Sequence, residues 1–160
     1  MKHFLSILVA LMCLCGMVKA QDAPGLEYVC ELKVTCDPAY GVGQTAHGER
    51  VVIPINGGTF KGPRMKGTVL PGGADYQLVD RGRGRTELEA IYSIKTDDGV
   101  NIHIRNCGLL LQNESGFYFR TAPKFEAPQD SPYDWLNNAI FICVPEAKPE
   151  YISLKVWKVL

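Results

Sequence analysis

The chain has 160 residues, and its 17 Lys and Arg balance its 17 Asp and Glu. Zero net charge gives a polyanion nothing to hold, so nucleic acid and an anionic membrane surface are set aside as partners. This length suits one ordinary domain with a true hydrophobic core and does not call for a second.

The first twenty residues carry a short basic start (Lys2, His3), an apolar run from Phe4 to Val18, and small Val18 and Ala20 around Lys19. That is the pattern of a cleavable secretory signal. A membrane anchor needs about 18 or more unbroken apolar residues, which this run lacks. The residues before Cys13 and Cys15 are Met12 and Leu14, too large for a lipoprotein site. The expected mature protein is therefore a single domain, residues 21–160, secreted or periplasmic and without a membrane span. Losing Lys2 and Lys19 leaves fifteen basic against seventeen acidic residues.

Four cysteines remain, Cys30, Cys36, Cys107 and Cys143, and an oxidising compartment makes them candidate disulfide partners. If Cys30 and Cys36 share a strand they stand roughly 20 Å apart, beyond disulfide reach, so bonds would run to Cys107 and Cys143. The alternative is four buried thiols, packed as small apolar side chains.

From Tyr28 to Cys36 the chain alternates, with Tyr28, Cys30, Leu32, Val34 and Cys36 on one face of a predicted strand. Glycine-rich 41–48 reads as a flexible loop. Val51 to Ile55 resumes the strand pattern, and Pro54 suggests an edge position or a bulge. Asn56-Gly57-Gly58 is a turn signal. Short strands follow at Met65 to Leu70 and Ala74 to Val79, split by the turn Pro71-Gly72-Gly73.

The clearest element is a hairpin from Glu87 to Asn106, closed by Asp97-Asp98-Gly99 with Thr96 opposite Val100. It places Leu88, Ala90, Tyr92, Ile94, Val100, Ile102, Ile104 and Asn106 on one face. Asn106 is the polar member of that apolar set, so its amide either ties down a loop or faces a ligand. After a strand at Phe117 to Thr121, Ser131-Pro132 suits the start of one helical turn through Trp135. Ala139 to Val144 and Tyr151 to Val159 are strand-like. About eight to ten short strands, with no helix of helical period, predict an all-β antiparallel barrel or sandwich.

Ordered pieces of this chain resemble one family. They are Ile53-Pro54-Ile55 with Gly57-Gly58-Thr59-Phe60 and Gly62-Pro63, Leu70-Pro71-Gly72-Gly73-Ala74-Asp75-Tyr76, Thr96-Asp97-Asp98-Gly99, and Arg105-Asn106 with Gly108. Tyr118 to Pro123 with Phe125-Glu126, and Trp135-Leu136-Asn137, continue the set. The set is similar to domain of unknown function family 3237. The resemblance implies a small antiparallel β-barrel with an interior pocket, an acid at the position of Asp75, and no established reaction. The signal sequence, the Asp80-to-Arg85 loop and the extra cysteines depart from that family's usual pattern and put a cytoplasmic metabolic role in doubt.

Known chemistries find little footing. No serine sits in a G-x-S-x-G elbow. His47 and His103 lack a nearby second ligand at zinc spacing, so no metal and no cofactor is expected. His103 and Cys107 are about 13 Å apart on one strand face, too far for a thiolate and its base. Gly41-Val42-Gly43 opens no helix, which removes a phosphate loop. Arg81, Arg83 and Arg85 are compensated by Asp80, Glu87 and Glu89, and Asp97-Asp98 is explained by its turn. Asn113-Glu114-Ser115 fits a glycosylation acceptor in a eukaryotic secretory route.

The leading expectation is a barrel that binds a small apolar or aromatic molecule, with Asp75, Gln77, Tyr92, Asn106, Phe119, Arg120, Trp135 and Asn137 at its site. An enzyme in the same cavity, an isomerase, cyclase or lyase, would use Asp75 as base and Arg120 to stabilise negative charge. A structural or adhesion module with a filled core is the third reading; there Asp75 pairs with Arg120 to lock loops.

Overall fold

The computed structural model describes residues 23–114 and 116–160. The expected signal sequence and Ser115 of the glycosylation pattern lie outside the described residues. Ten strands follow in order: β1 (Leu26–Cys36), β2 (Tyr40–Thr45), β3 (Gly48–Lys61), β4 (Lys66–Val69), β5 (Gly73–Asp80), β6 (Arg85–Thr96), β7 (Asn101–Asn113), β8 (Gly116–Glu126), β9 (Phe141–Ala147) and β10 (Ile152–Val159). Short 3-10 turns occupy Arg81–Arg83 and Asp134–Asn138.

The β6–β7 hairpin shows why the chain folds this way. Gly99, at φ 92°, takes the left-handed position of the turn. Its N–H donates to the Thr96 carbonyl at 2.8 Å, while the Thr96 hydroxyl accepts from Val100 N–H at 2.9 Å. The resulting register pairs Ala90 with Asn106 and Ile94 with Ile102. The predicted face is the buried one: Tyr92, Ile94, Ile102, Ile104 and Asn106 are all almost without exposure.

All strand pairs are antiparallel, and the sheet closes because β1 pairs with both β10 and β3. The barrel has eight staves, one of them shared: β4 and β5 lie end to end between β3 and β6. The remaining strand, β2, extends the wall as a hairpin with β3.

Several local expectations change. Residues 41–48 do not form a loop: most of them build β2 and its turn, held by backbone pairing with Gly48 to Val52. Asn56-Gly57-Gly58 is not a turn but lies inside β3, where the register against β1 slips between Cys36↔Ile55 and Thr35↔Gly57. Pro54 stands in an interior strand, opposite the bend that joins β1 to β2; its carbonyl accepts from Asp37 N–H at 3.0 Å. On that side no ladder partner asks for the missing N–H. A second slip between Tyr28 and Cys30 turns Val29 inward and leaves Tyr28 exposed against Trp157. The helical turn begins at Asp134, later than expected. The Ser131 hydroxyl caps only Tyr133 N–H, at 3.2 Å.

The core fills one end of the barrel. Phe60, Met65, Ile94, Ile102, Phe125, Tyr133, Leu136 and Phe141 pack there, with Phe125 and Phe141 edge to face at 4.9 Å. The segment between β8 and β9 covers that end like a plug, and Tyr133 donates its hydroxyl to Asp98 of the β6–β7 turn at 2.9 Å. Burying each large apolar side chain contributes about 1.5–3 kcal/mol, so this end is a substantial source of stability.

Candidate functional site

The other half of the barrel is hollow. A cavity of about 430 Å³ is walled by residues from eight of the strands: β1, β3, β5, β6, β7, β8, β9 and β10. Its walls are mostly apolar, with Ile53, Ile55, Leu88, Leu110, Phe119 and Ile152 prominent. The floor is Tyr92, which is buried, and the upper wall reaches partly exposed Gln77, Thr86 and Phe119. The cavity therefore opens at the end that carries the β5–β6, β7–β8 and β9–β10 turns.

One register row creates the polar part. Asp75 pairs with Ala90, and Ala90 with Asn106. All three face inward, and the small Ala90 leaves space between the carboxyl and the amide. Beyond Asp75 the β5–β6 pairing breaks and resumes only at Leu78↔Glu87. The Asp75 side chain fills that break by accepting from the Glu89 N–H at 3.1 Å, and its other oxygen accepts from Gln77 Nε2 at 2.7 Å. Burial pushes the Asp75 carboxyl above the ordinary carboxylate range, against the opposing pull of those two hydrogen bonds. Beside it, burial raises the Cys36 thiol, with Asp75 and Asp37 adding to the effect. The Tyr92 phenol is held far above its usual value by the same desolvation.

Two polar atoms in the wall are poorly satisfied. Asn106 is 4% exposed and Thr121 8% exposed; Asn106 Oδ1 has no hydrogen-bond partner, and Thr121 Oγ1 has no partner beyond the Cys143 thiol beside it. Such an atom costs about 1–3 kcal/mol when left dry. Thr121 is pressed over Gly108 of β7, where an added Cβ would collide with the Thr121 side chain and come within 2.5 Å of the Arg120 carbonyl.

The structure brings Asp75, Gln77, Tyr92, Asn106 and Phe119 into this cavity and leaves three other candidates out of it. Arg120 points outward from β8, over the Tyr118 ring at 5.5 Å, and donates to the Phe119 carbonyl at 2.7 Å. It makes no ion pair with Asp75. Trp135 lies in the plug at the opposite end, stacked under Arg64 at 4.1 Å and beside Phe141. Asn137 clamps the loop after β8, accepting from Ala127 N–H at 2.9 Å and donating to the Ala127 carbonyl at 2.8 Å. The expected patch thus splits between the two ends of the barrel. Cys36 and Thr121, absent from the expected set, share inward faces with Val34 and Phe119, and their alternation along β1 and β8 was the signal.

The four cysteines Cys30, Cys36, Cys107 and Cys143 are free thiols. Cys30 and Cys143 both pair with Val156 from opposite sides, which sets their Cα atoms roughly 9–10 Å apart, outside disulfide range. Burial raises Cys30 to about 12 and Cys143 to about 11. His103 faces outward, its Nδ1 3.1 Å from the Ser93 hydroxyl. The arginines of the Asp80–Arg85 turn are paired: Arg81 with Glu49, Arg83 with Asp80, Arg85 with Glu87.

Known proteins share this architecture. A β-barrel-like protein from Acinetobacter baumannii superposes with a TM-score of 0.81 at 27% identity, covering 89% of this chain and 99% of that one. A UPF0311 protein from Clostridium acetobutylicum is 36% identical over 148 residues, 83% of this chain and 92% of the relative. A protein from Penicillium herquei named as a hydroalkoxylation enzyme is 31% identical over 137 residues, covering 85% of this chain and 84% of the relative. The model of the family described as protein of unknown function (DUF3237) matches residues 24–159. A closed barrel, close relatives and a family match over nearly every described residue lead to one conclusion: the chain belongs to the DUF3237 family.

Proposed function

We propose that the hollow half of the barrel binds one small, mostly apolar molecule, in a protein exported by its apolar leader. The observation that carries this reading is the cavity itself: an apolar chamber of about 430 Å³ whose wall holds a buried polar atom, Asn106 Oδ1, without a partner. Small-molecule sites commonly combine about 300–1,000 Å³ of apolar wall with a few placed polar groups. A filled structural core would leave neither the space nor the unpaired atom.

The test fills the chamber. Ala90→Leu puts a branched side chain between Asp75 and Asn106, where the small alanine keeps the space open. Native mass spectrometry of protein from its own host should find a stoichiometric small molecule on the unaltered chain and none on the folded variant. No ligand on either, together with thermal stability indifferent to a broad metabolite panel, would favour the structural module instead.

A second reading is supported by Asp75 and by the Penicillium herquei relative. Hydroalkoxylation adds an alcohol O–H across a carbon–carbon double bond. In a cyclase of that kind the neutral Asp75 carboxyl would give its proton to one alkene carbon, and a hydroxyl of the same molecule would bond to the other. The hydroxyl proton would then return to the carboxylate. Burial shifts the carboxyl upward from its ordinary value, the direction such a donor requires. Arg120, outside the cavity, has no part in this version. Asp75→Asn separates the two readings: an enzyme loses turnover and keeps its affinity, whereas a binding protein shows no turnover in either form.

A further inference from the structure

The polar half of the cavity wall also constrains the charge of what it holds. Three of its residues ionise, Asp75, Cys36 and Tyr92, and each becomes an anion when it does so. No lysine, arginine or histidine lines the chamber. Outside it Arg81 is engaged by Glu49, Arg85 by Glu87 and Arg105 by Glu89, while Arg50 and Arg120 point away from the chamber onto the backbone carbonyls of Tyr76 and Phe119. A carboxylate or phosphate entering would lose its water and meet no countercharge, at a cost of several kcal/mol.

The unmet needs of the wall are those of neutral hydrogen-bonding groups. Asn106 Oδ1 is an acceptor without a donor, the Tyr92 and Thr121 hydroxyls can each donate and accept, and each Asp75 oxygen keeps acceptor capacity beyond its one bond. What would satisfy them is a ligand hydroxyl. A cationic ligand would need Asp75 to balance it, yet both carboxyl oxygens are already engaged by Gln77 and the Glu89 N–H.

Resting on the reading of this chamber as a ligand site, we propose that it selects an uncharged molecule whose hydroxyl hydrogen-bonds with the Asn106 amide beside Asp75, with an apolar body toward Phe119, and that it rejects anions. The geometry of the row Asp75–Ala90–Asn106 supplies the slot. The hydroxyl group enters first and the body follows.

Four matched probes test this by titration calorimetry at neutral pH: 2-naphthylmethanol, 2-methylnaphthalene, 2-naphthoate and 2-naphthylmethylammonium. The alcohol should bind about tenfold tighter than the hydrocarbon, roughly the worth of one buried hydrogen bond, and the two ions more weakly than either. Asn106→Leu should keep the affinity for the hydrocarbon and erase the advantage of the alcohol. Should Asn106→Leu fail to fold, Ala90→Val, which narrows the slot of the same row, should likewise erase the advantage of the alcohol. Equal binding of the alcohol and either ion, or of the alcohol and the hydrocarbon, overturns the selection while the chamber remains a ligand site. Failure of all four to bind the folded protein removes the chamber reading and this inference together.

Discussion

Asp75 sets the first expectation. Its carboxyl titrates above the ordinary range in the folded chain because burial outweighs two hydrogen bonds. The folded state thus holds this proton more tightly than the unfolded state. The group's stabilising contribution is full below the ordinary carboxyl pKa and is lost as pH rises through the raised value. Asp75→Asn removes that loss, so the melting temperature of the variant relative to the parent should climb between acid and neutral pH. Parallel curves would mean that the carboxyl ionises without penalty. Asn106 gives the second: Asn106→Leu deletes a buried acceptor without a partner and should stabilise the ligand-free protein by about 1 kcal/mol, read by urea unfolding. A loss of stability would mean the amide has a partner. The thiols give the third. Cys30 and Cys143, with no measurable exposure and raised pKa, should resist iodoacetamide in the folded protein, while all four cysteines are alkylated after denaturation without reductant. A disulfide would leave two of them unlabelled.

Among the elements, the plug segment and the β7–β8 wall are held by different devices. Asn137→Ala removes both hydrogen bonds to Ala127 and should cost about 1–2 kcal/mol in unfolding while leaving ligand affinity intact. A change in affinity without a change in stability would return Asn137 to the binding site. Gly108→Ala forces a Cβ into the Thr121 side chain, and overpacking of this kind costs about 1–3 kcal/mol. Elements with strict alternation were legible from the sequence: the β6–β7 hairpin, with its buried face and its Thr96–Val100 closure, follows from period two and turn chemistry. Bulges were not. An extra residue such as Val29 leaves no mark on composition, and it reverses which neighbours face inward. β2 escaped because its glycines carry no side-chain pattern, and only backbone pairing with β3 defines it. Arg120 was legible and misread: it follows Phe119 in one strand, and adjacent strand residues cannot share a face.

At the scale of the whole molecule, eight staves close one wall around two different interiors, a packed end under the plug and a hollow end above Tyr92. Strand count and turn spacing conveyed an all-β barrel or sandwich, and the family resemblance pointed to the barrel. The sequence could not show that Trp135 and Asn137 lie at the packed end, because that depends on where a long connection crosses the barrel mouth. The division into two ends also implies a ruler. With Tyr92 as a closed floor and one opening above, a ligand anchored at Asn106 can only grow toward solvent. In a homologous series of alcohols, affinity should rise with each added methylene while the chain still lies below Phe119 and Ile152. It should then level off once the tail emerges, so the length at the break would measure the depth of the chamber.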